Sequence, residues 1–128
     1  MTNFSQVPVL VTIVGVDGAS QVYYTYADPE TGKQYVKSPT CSINAVAPFQ
    51  TLFALDYATS RNGWIVLMPA TPDPRTTLIP SFPDCGCLAL LTFDAGSLDY
   101  KFGITFYNTF TKDTVSDDPQ EGNILQPK

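Results

Sequence analysis

Three cysteines, a scatter of carboxylates and a set of tyrosines are the groups of this 128-residue chain whose types could do chemistry. Cys85 and Cys87 stand one residue apart, an awkward spacing for a mutual disulfide. A Cys-x-Cys pair offers two metal ligands, but a zinc site wants two more at wider spacing, and only Cys41 remains. The chain has no histidine, which removes Ser-His-Asp and Cys-His relays and any imidazole metal site. Cysteines acting as small, reduced core hydrophobes are therefore preferred over a redox or metal role. Whether Cys85 and Cys87 are reactive stays open.

Asp113, Asp117, Asp118 and Glu121 form the local charge cluster. They lack the Asp-x-Asp-x-Asp-Gly order of a calcium loop and read as a solvated tail. Asp28 and Glu30, around Pro29, make a smaller case of the same kind. Asp56, Asp84, Asp94 and Asp99 could hydrolyse a glycosidic bond only if two of them converged at the right separation. Scattered over turns and strand ends, they point away from catalysis. Tyr23, Tyr24, Tyr26, Tyr35, Trp64 and Tyr107 combine stacking surfaces with hydrogen-bonding tips and could line a carbohydrate- or peptide-binding face. In alternating strands the same residues are more often core and cross-strand pairs. The expectation is no catalytic, cofactor or metal site.

Charge narrows the partners. Twelve acidic residues against seven basic ones give a net charge of −5, with no cluster of Lys and Arg to neutralise phosphates. Nucleic acid and anionic membrane surfaces are thereby disfavoured. Residues 1–6 carry no positive charge, and the apolar run from Val7 to Val16 falls well short of the roughly 20 residues a membrane-spanning helix needs. With an odd cysteine count, which fits a reducing compartment, this places the chain in the cytoplasm.

The elements that must position these groups read as strands. Val, Ile, Thr, Tyr and Phe are plentiful and there are 11 prolines. Val7 to Gly15 alternates with apolar residues on both faces, as in a strand covered on both sides or lying at an interface. Gln21–Ala27 and Gln34–Lys37 flank Asp28-Pro29-Glu30-Thr31-Gly32-Lys33, which is turn chemistry, so the first three elements make a meander. Residues 49–58 fit both a helical and an alternating spacing; strand is favoured and the choice stays open. Asn62-Gly63 is a hairpin signal before an apolar strand at Trp64 to Met68. Prolines at 69, 72, 74, 80 and 83 mark a long loop or an edge segment. Cys87–Asp94 and Tyr100–Phe110 are the strongest strands, and the segment from Thr111 onward reads as irregular.

The pattern predicts an all-β protein, most economically an immunoglobulin-like two-sheet β-sandwich of about seven or eight antiparallel strands, with a barrel as the alternative. Residues 1–112 would form the single domain and 113–128 a polar acidic tail.

The strand Tyr100-Lys101-Phe102-Gly103-Ile104-Thr105-Phe106-Tyr107, followed by a polar segment and Asp118-Pro119, resembles the close of the small bacterial DP-EP family. It also resembles the AidA/PixA inclusion-body family, where a last aromatic strand leads into an Asp-Pro. No Glu-Pro pair occurs; Gln120-Glu121-Gly122 stands where one would fall. Both resemblances imply a small β-sandwich without an assigned activity, and neither supplies functional residues. The expected role is non-catalytic: a self-associating or structural protein, a homo-oligomer meeting through strand edges or an apolar sheet face. A carbohydrate- or peptide-binding module using exposed tyrosines is the alternative.

Overall fold

A computed structural model describes residues 5–16, 18–46, 49–67, 79–81, 86–92, 99–101, 103–117 and 120–124. The described residues form strands β1 (Ser5–Val16), β2 (Ala19–Ala27), β3 (Gln34–Ser38), β4 (Ser42–Val46) and β5 (Phe49–Leu55). A five-residue helix, α1 (Tyr57–Arg61), follows. Then come β6 (Trp64–Val66), β7 (Ile79–Ser81), β8 (Cys87–Thr92), β9 (Asp99–Lys101), β10 (Ile104–Asn108), β11 (Thr114–Asp117) and β12 (Gln120–Ile124). The protein is all-β and sandwich-like.

One layer is a six-stranded sheet in the order β3-β2-β1-β5-β8-β7. The expected meander of the first three elements is present, turned at Asp28, whose side chain accepts from the Glu30 N–H at 2.9 Å. Gly32, at φ +74, closes that turn by donating to the Asp28 carbonyl at 2.7 Å. The second layer consists of β11-β10-β6 and β4-β12-β9. Ile104 faces Asp117 and Lys101 faces Gln120, so β9 and β10 keep one register against β12 and β11. The two small sheets are thus successive parts of one antiparallel ribbon.

Alternation explains the core. Val7, Val9, Val11 and Ile13 of β1, Val22, Tyr24 and Tyr26 of β2, and Phe53 and Leu55 of β5 are buried in one cluster. Trp64, Val66, Ile104 and Phe106 from the second layer join it, as do Cys41 and Ile43. Tyr24 and Phe53 meet edge to face with centroids 6.3 Å apart.

Several expectations need correction. Twelve strands are present among the described residues, more than anticipated, because long apolar runs are divided and short polar segments pair as well. The pairing is not purely antiparallel: β1 runs parallel to β5, and β4 to β12. Parallel neighbours need a crossover connection, and the stretch holding β2, β3 and β4 supplies it for β1 and β5. Residues 49–58 divide between strand and helix. Asn62-Gly63 ends that helix rather than turning a hairpin: the Asn62 N–H donates to the Ala58 carbonyl at 3.0 Å, and Gly63 sits at φ +96. The segment expected to be irregular after Thr111 supplies β11 and β12, held by pairing with β10, β9 and β4 rather than by apolar content. In the proline-rich stretch, 69–78 and 82–83 lie outside the described residues. Ile79–Ser81 is an edge strand, the placement a proline tolerates. Asp118-Pro119 also lies outside the described residues.

Candidate functional site

Among the described residues the acidic side chains do not assemble. Tyr24, fully buried, donates its hydroxyl to Asp117 Oδ2 at 2.6 Å, tying β2 to β11 across the two layers. Asp113 is exposed in the loop before β11, where its carbonyl accepts from the Asn108 N–H at 2.8 Å. Among the described residues no group of three or more His, Cys, Asp or Glu could hold a metal ion. Of the four carboxylates weighed for hydrolysis, Asp84 and Asp94 lie outside the described residues and Asp99 opens β9.

Asp56 has a structural task. It caps α1 by accepting from the Thr59 N–H at 2.8 Å through Oδ1, while Oδ2 accepts from the Thr12 hydroxyl. The helix sits where β1 outruns β5, and buried Thr59 accepts the otherwise unmatched Ile13 N–H at 3.0 Å. Partial burial acts to raise the Asp56 pKa, but the hydrogen bonds from Thr12 and Thr59, helped by the charge of Lys37, hold it below the ordinary carboxylate value. A carboxylate with both oxygens engaged and its proton affinity lowered is a poor general base. The Asp-x-x-Thr spacing from 56 to 59 was the sequence signal for this cap, and alternation masked it.

The tyrosines divide among surfaces. Tyr24, Tyr26 and Trp64 are buried, and Tyr23, Tyr35 and Tyr107 are half-buried. Tyr35 stacks on Tyr26 at 5.0 Å between centroids. Burial pushes the Tyr26 phenol pKa up, against the opposing effect of the Ser42 N–H that its oxygen accepts at 3.2 Å. Tyr23 instead lies on the outer face of the large sheet, opposite Thr12, while Tyr107 lies on the far side of β10 from Phe106. They do not form one ligand-binding face. Cys41 is buried near Ile43, Cys87 is half-buried in β8, and Cys85 lies outside the described residues.

A different site stands out: the outer face of the six-stranded sheet. Register places Gln6, Pro8, Leu10, Thr12 and Val14 of β1 on this face. Gln21, Tyr23 and Thr25 of β2 and Gln50, Leu52 and Ala54 of β5 share it. Leu10 is 44% and Val14 42% exposed, although Val9 and Val11 on the opposite face are sealed. A shallow depression of about 320 Å³ lies here, lined chiefly by Pro8, Leu10, Thr25, Ala27, Leu52 and Ala54. None of these strand residues is charged, but the Asp56 carboxylate meets the face at Thr12. Gln6 donates to Gln50 at 2.8 Å beside it. The two-sided apolar character of the first strand was legible in sequence; Leu52 and Ala54 were not singled out, because residues 49–58 fitted two periodicities.

Fold and surface together define a small all-β sandwich-like protein with a partly apolar outer sheet face. No protein-family model matches its sequence, and no curated protein does. Among solved structures it is similar to the inclusion body protein PixA from Burkholderia cenocepacia, at 6% identity and a TM-score of 0.50, covering 96% of this chain and 97% of that one. An endo-fucoidan hydrolase of glycoside hydrolase family 107 aligns at 8% identity and a TM-score of 0.48, over 96% of this chain but 24% of that one. The likeness to PixA is one of fold.

Proposed function

We propose that this protein is a non-catalytic, self-associating β-sandwich with a structural role. One observation carries the proposal: β1, β2 and β5 turn to solvent a surface that includes the apolar residues Pro8, Leu10, Val14, Leu52 and Ala54. Contiguous apolar surface rimmed by polar groups marks interaction sites in soluble proteins. Here the polar groups are Gln6, Gln21 and Gln50, with the Asp56 carboxylate at Thr12. The likeness in fold to an inclusion body protein supports association with further copies. The engagement of Asp56 as a helix cap and of Asp117 with Tyr24 supports a role without catalysis. Cytoplasmic residence belongs to the same proposal, supported by the odd cysteine count. Sedimentation of the purified chain across a concentration series tests it. The expected result is a weight-average mass that rises with concentration; a monodisperse monomer throughout overturns the proposal.

A further inference from the structure

Asn62-Gly63, at the corner where α1 hands over to β6, is the single Asn-Gly pair of the chain. Asparagine deamidates most readily before glycine, whose missing Cβ leaves its amide nitrogen open to the Asn side chain. The fold cannot dispense with this glycine. Gly63 sits at φ +96, and a Cβ there would meet Phe110 Cγ at 2.7 Å. Asn62 is exposed beside it, while Gly63 is buried. Independently of self-association, we infer that this corner is a fold-gated modification site. Asn62 keeps its amide while the corner is closed and deamidates once it opens.

The chemistry explains the gate. The Gly63 nitrogen gives up its proton and attacks Asn62 Cγ; the N–Cγ bond forms, the Cγ–Nδ2 bond breaks, and ammonia leaves with the proton. Water then opens the imide at either carbonyl, giving aspartate or isoaspartate. Ring closure needs the Gly63 nitrogen eclipsed with Asn62 Cβ, but ψ 7 at Asn62 turns it away. Rotating ψ swings the Asn62 carbonyl and the Gly63 N–H together, as one planar unit. Both are held. The Gly63 N–H donates to the Ser60 carbonyl at 3.1 Å, and the Asn62 carbonyl accepts from Asn108 Nδ2 at 3.1 Å. Buried Asn108 is itself oriented, because its Oδ1 accepts from the N–H groups of Phe110 and Thr111 at 2.8 and 3.0 Å. The Gly63 carbonyl in turn accepts from the Thr109 N–H at 2.7 Å and from its hydroxyl at 2.8 Å. Opening must break these bonds first, so the reaction draws only on the open population. Isoaspartate adds an atom to the backbone between the helix cap and Trp64, which pairs with Asn108. The product therefore records an opening event and weakens closure afterwards.

The test incubates the full chain in mildly alkaline buffer, folded and in guanidinium chloride, and follows Asn62 by peptide mapping and charge separation. Each conversion adds one negative charge to the net −5. Deamidation is expected to run at least about tenfold slower in the folded chain than in the denatured one. Asn62→Gln should abolish the rapid charge change in denaturant. Asn108→Ala, which removes the donor to the Asn62 carbonyl, should speed the folded-state reaction about tenfold and leave the denatured rate unchanged. Should a thermal scan show that this variant does not fold, Thr109→Val at an exposed position replaces it. That change removes only the hydroxyl bond to Gly63 and should accelerate the folded-state reaction about threefold. Equal rates in the folded and denatured chains overturn the gate. So does a folded Asn108→Ala or Thr109→Val whose folded-state rate matches wild type. A rapid charge change that persists in Asn62→Gln overturns the assignment to Asn62.

Discussion

The two faces of the six-stranded sheet are built from the same strands and from similar residues, yet they end in opposite environments. On β1 the inward set is Val7, Val9, Val11 and Ile13, all buried; the outward set includes Pro8, Leu10 and Val14, all exposed. Hydropathy alone does not fully separate them, although Gln6 and Thr12 share the outward set. Geometry does: only one face receives the ribbon carrying Trp64, Val66, Ile104 and Phe106. An apolar side chain on a strand is thus a core residue only where a second layer exists to cover it. The outward face mixes apolar residues with Gln, Thr and Tyr, and among the described residues no second layer covers Leu10 or Val14.

The comparison is broken most forcefully from the inside. Phe53 is completely buried and meets Tyr24 edge to face. Phe53→Ala should lower the unfolding free energy by about 3–5 kcal/mol, measured by denaturant titration, through lost transfer energy and the cavity left behind. A loss under about 1 kcal/mol would mean that the two layers do not close on this residue.

The end of the sheet comes next. Asp56→Ala removes the cap of α1 and the acceptor of Thr12, with an expected loss of about 1–2 kcal/mol. The acid response changes too. Because the folded pKa of Asp56 lies below its ordinary value of 3.8, the unfolded chain takes up the proton first as pH falls. The contribution is therefore complete above about pH 3.8 and disappears as pH drops through the folded value. Unfolding midpoints followed from pH 6 to pH 2 should fall less steeply for Asp56→Ala than for wild type.

Thr51 sharpens the contrast within the inner face. Its hydroxyl is fully buried without a hydrogen-bond partner, flanked by Val7 on β1 in register. Thr51→Val keeps the shape and removes the unsatisfied oxygen, so stability should rise by about 1 kcal/mol in the same titration. A destabilised variant would show that the hydroxyl is satisfied in solution.

How much of this was legible in the sequence follows from where the information lies. Alternation exposed β1, β2, β3, β8 and most of β10, and the turn at Asp28 to Lys33 is spelled out in its residue types. The two apolar faces of β1 also pointed to a second contact surface. Other features depend on partners distant in the chain. Nothing in Thr114-Val115-Ser116-Asp117 announces a strand, because its pairing comes from β10 and its tie to the core from Tyr24, 93 positions away. The parallel register of β1 with β5 is likewise invisible to local pattern, since it depends on a crossover. Asn62-Gly63 carries one turn signal that two structures can use, and the five helical residues before it decide between them.

The finest cut compares neighbours on opposite faces. Val9 and Leu10 are adjacent, equally apolar in type, and separated in environment by a single peptide: Val9 is sealed in the core and Leu10 is 44% exposed. Val9→Ser should cost several kcal/mol of stability, since it adds a cavity and places a hydroxyl where nothing can satisfy it. Leu10→Ser should change stability by no more than about 0.5 kcal/mol at dilute concentration, as surface substitutions do. Its effect should appear instead in sedimentation at high concentration, as a lower weight-average mass. Equal destabilisation by the two substitutions would mean that the outer face is covered within the monomer, and the contact surface would have to be sought elsewhere. A stable Leu10→Ser with unchanged association would leave the face uncovered but remove it from any contact between copies. Only the combination of an intact fold and weakened association joins the exposed side of this sheet to a second copy of the chain.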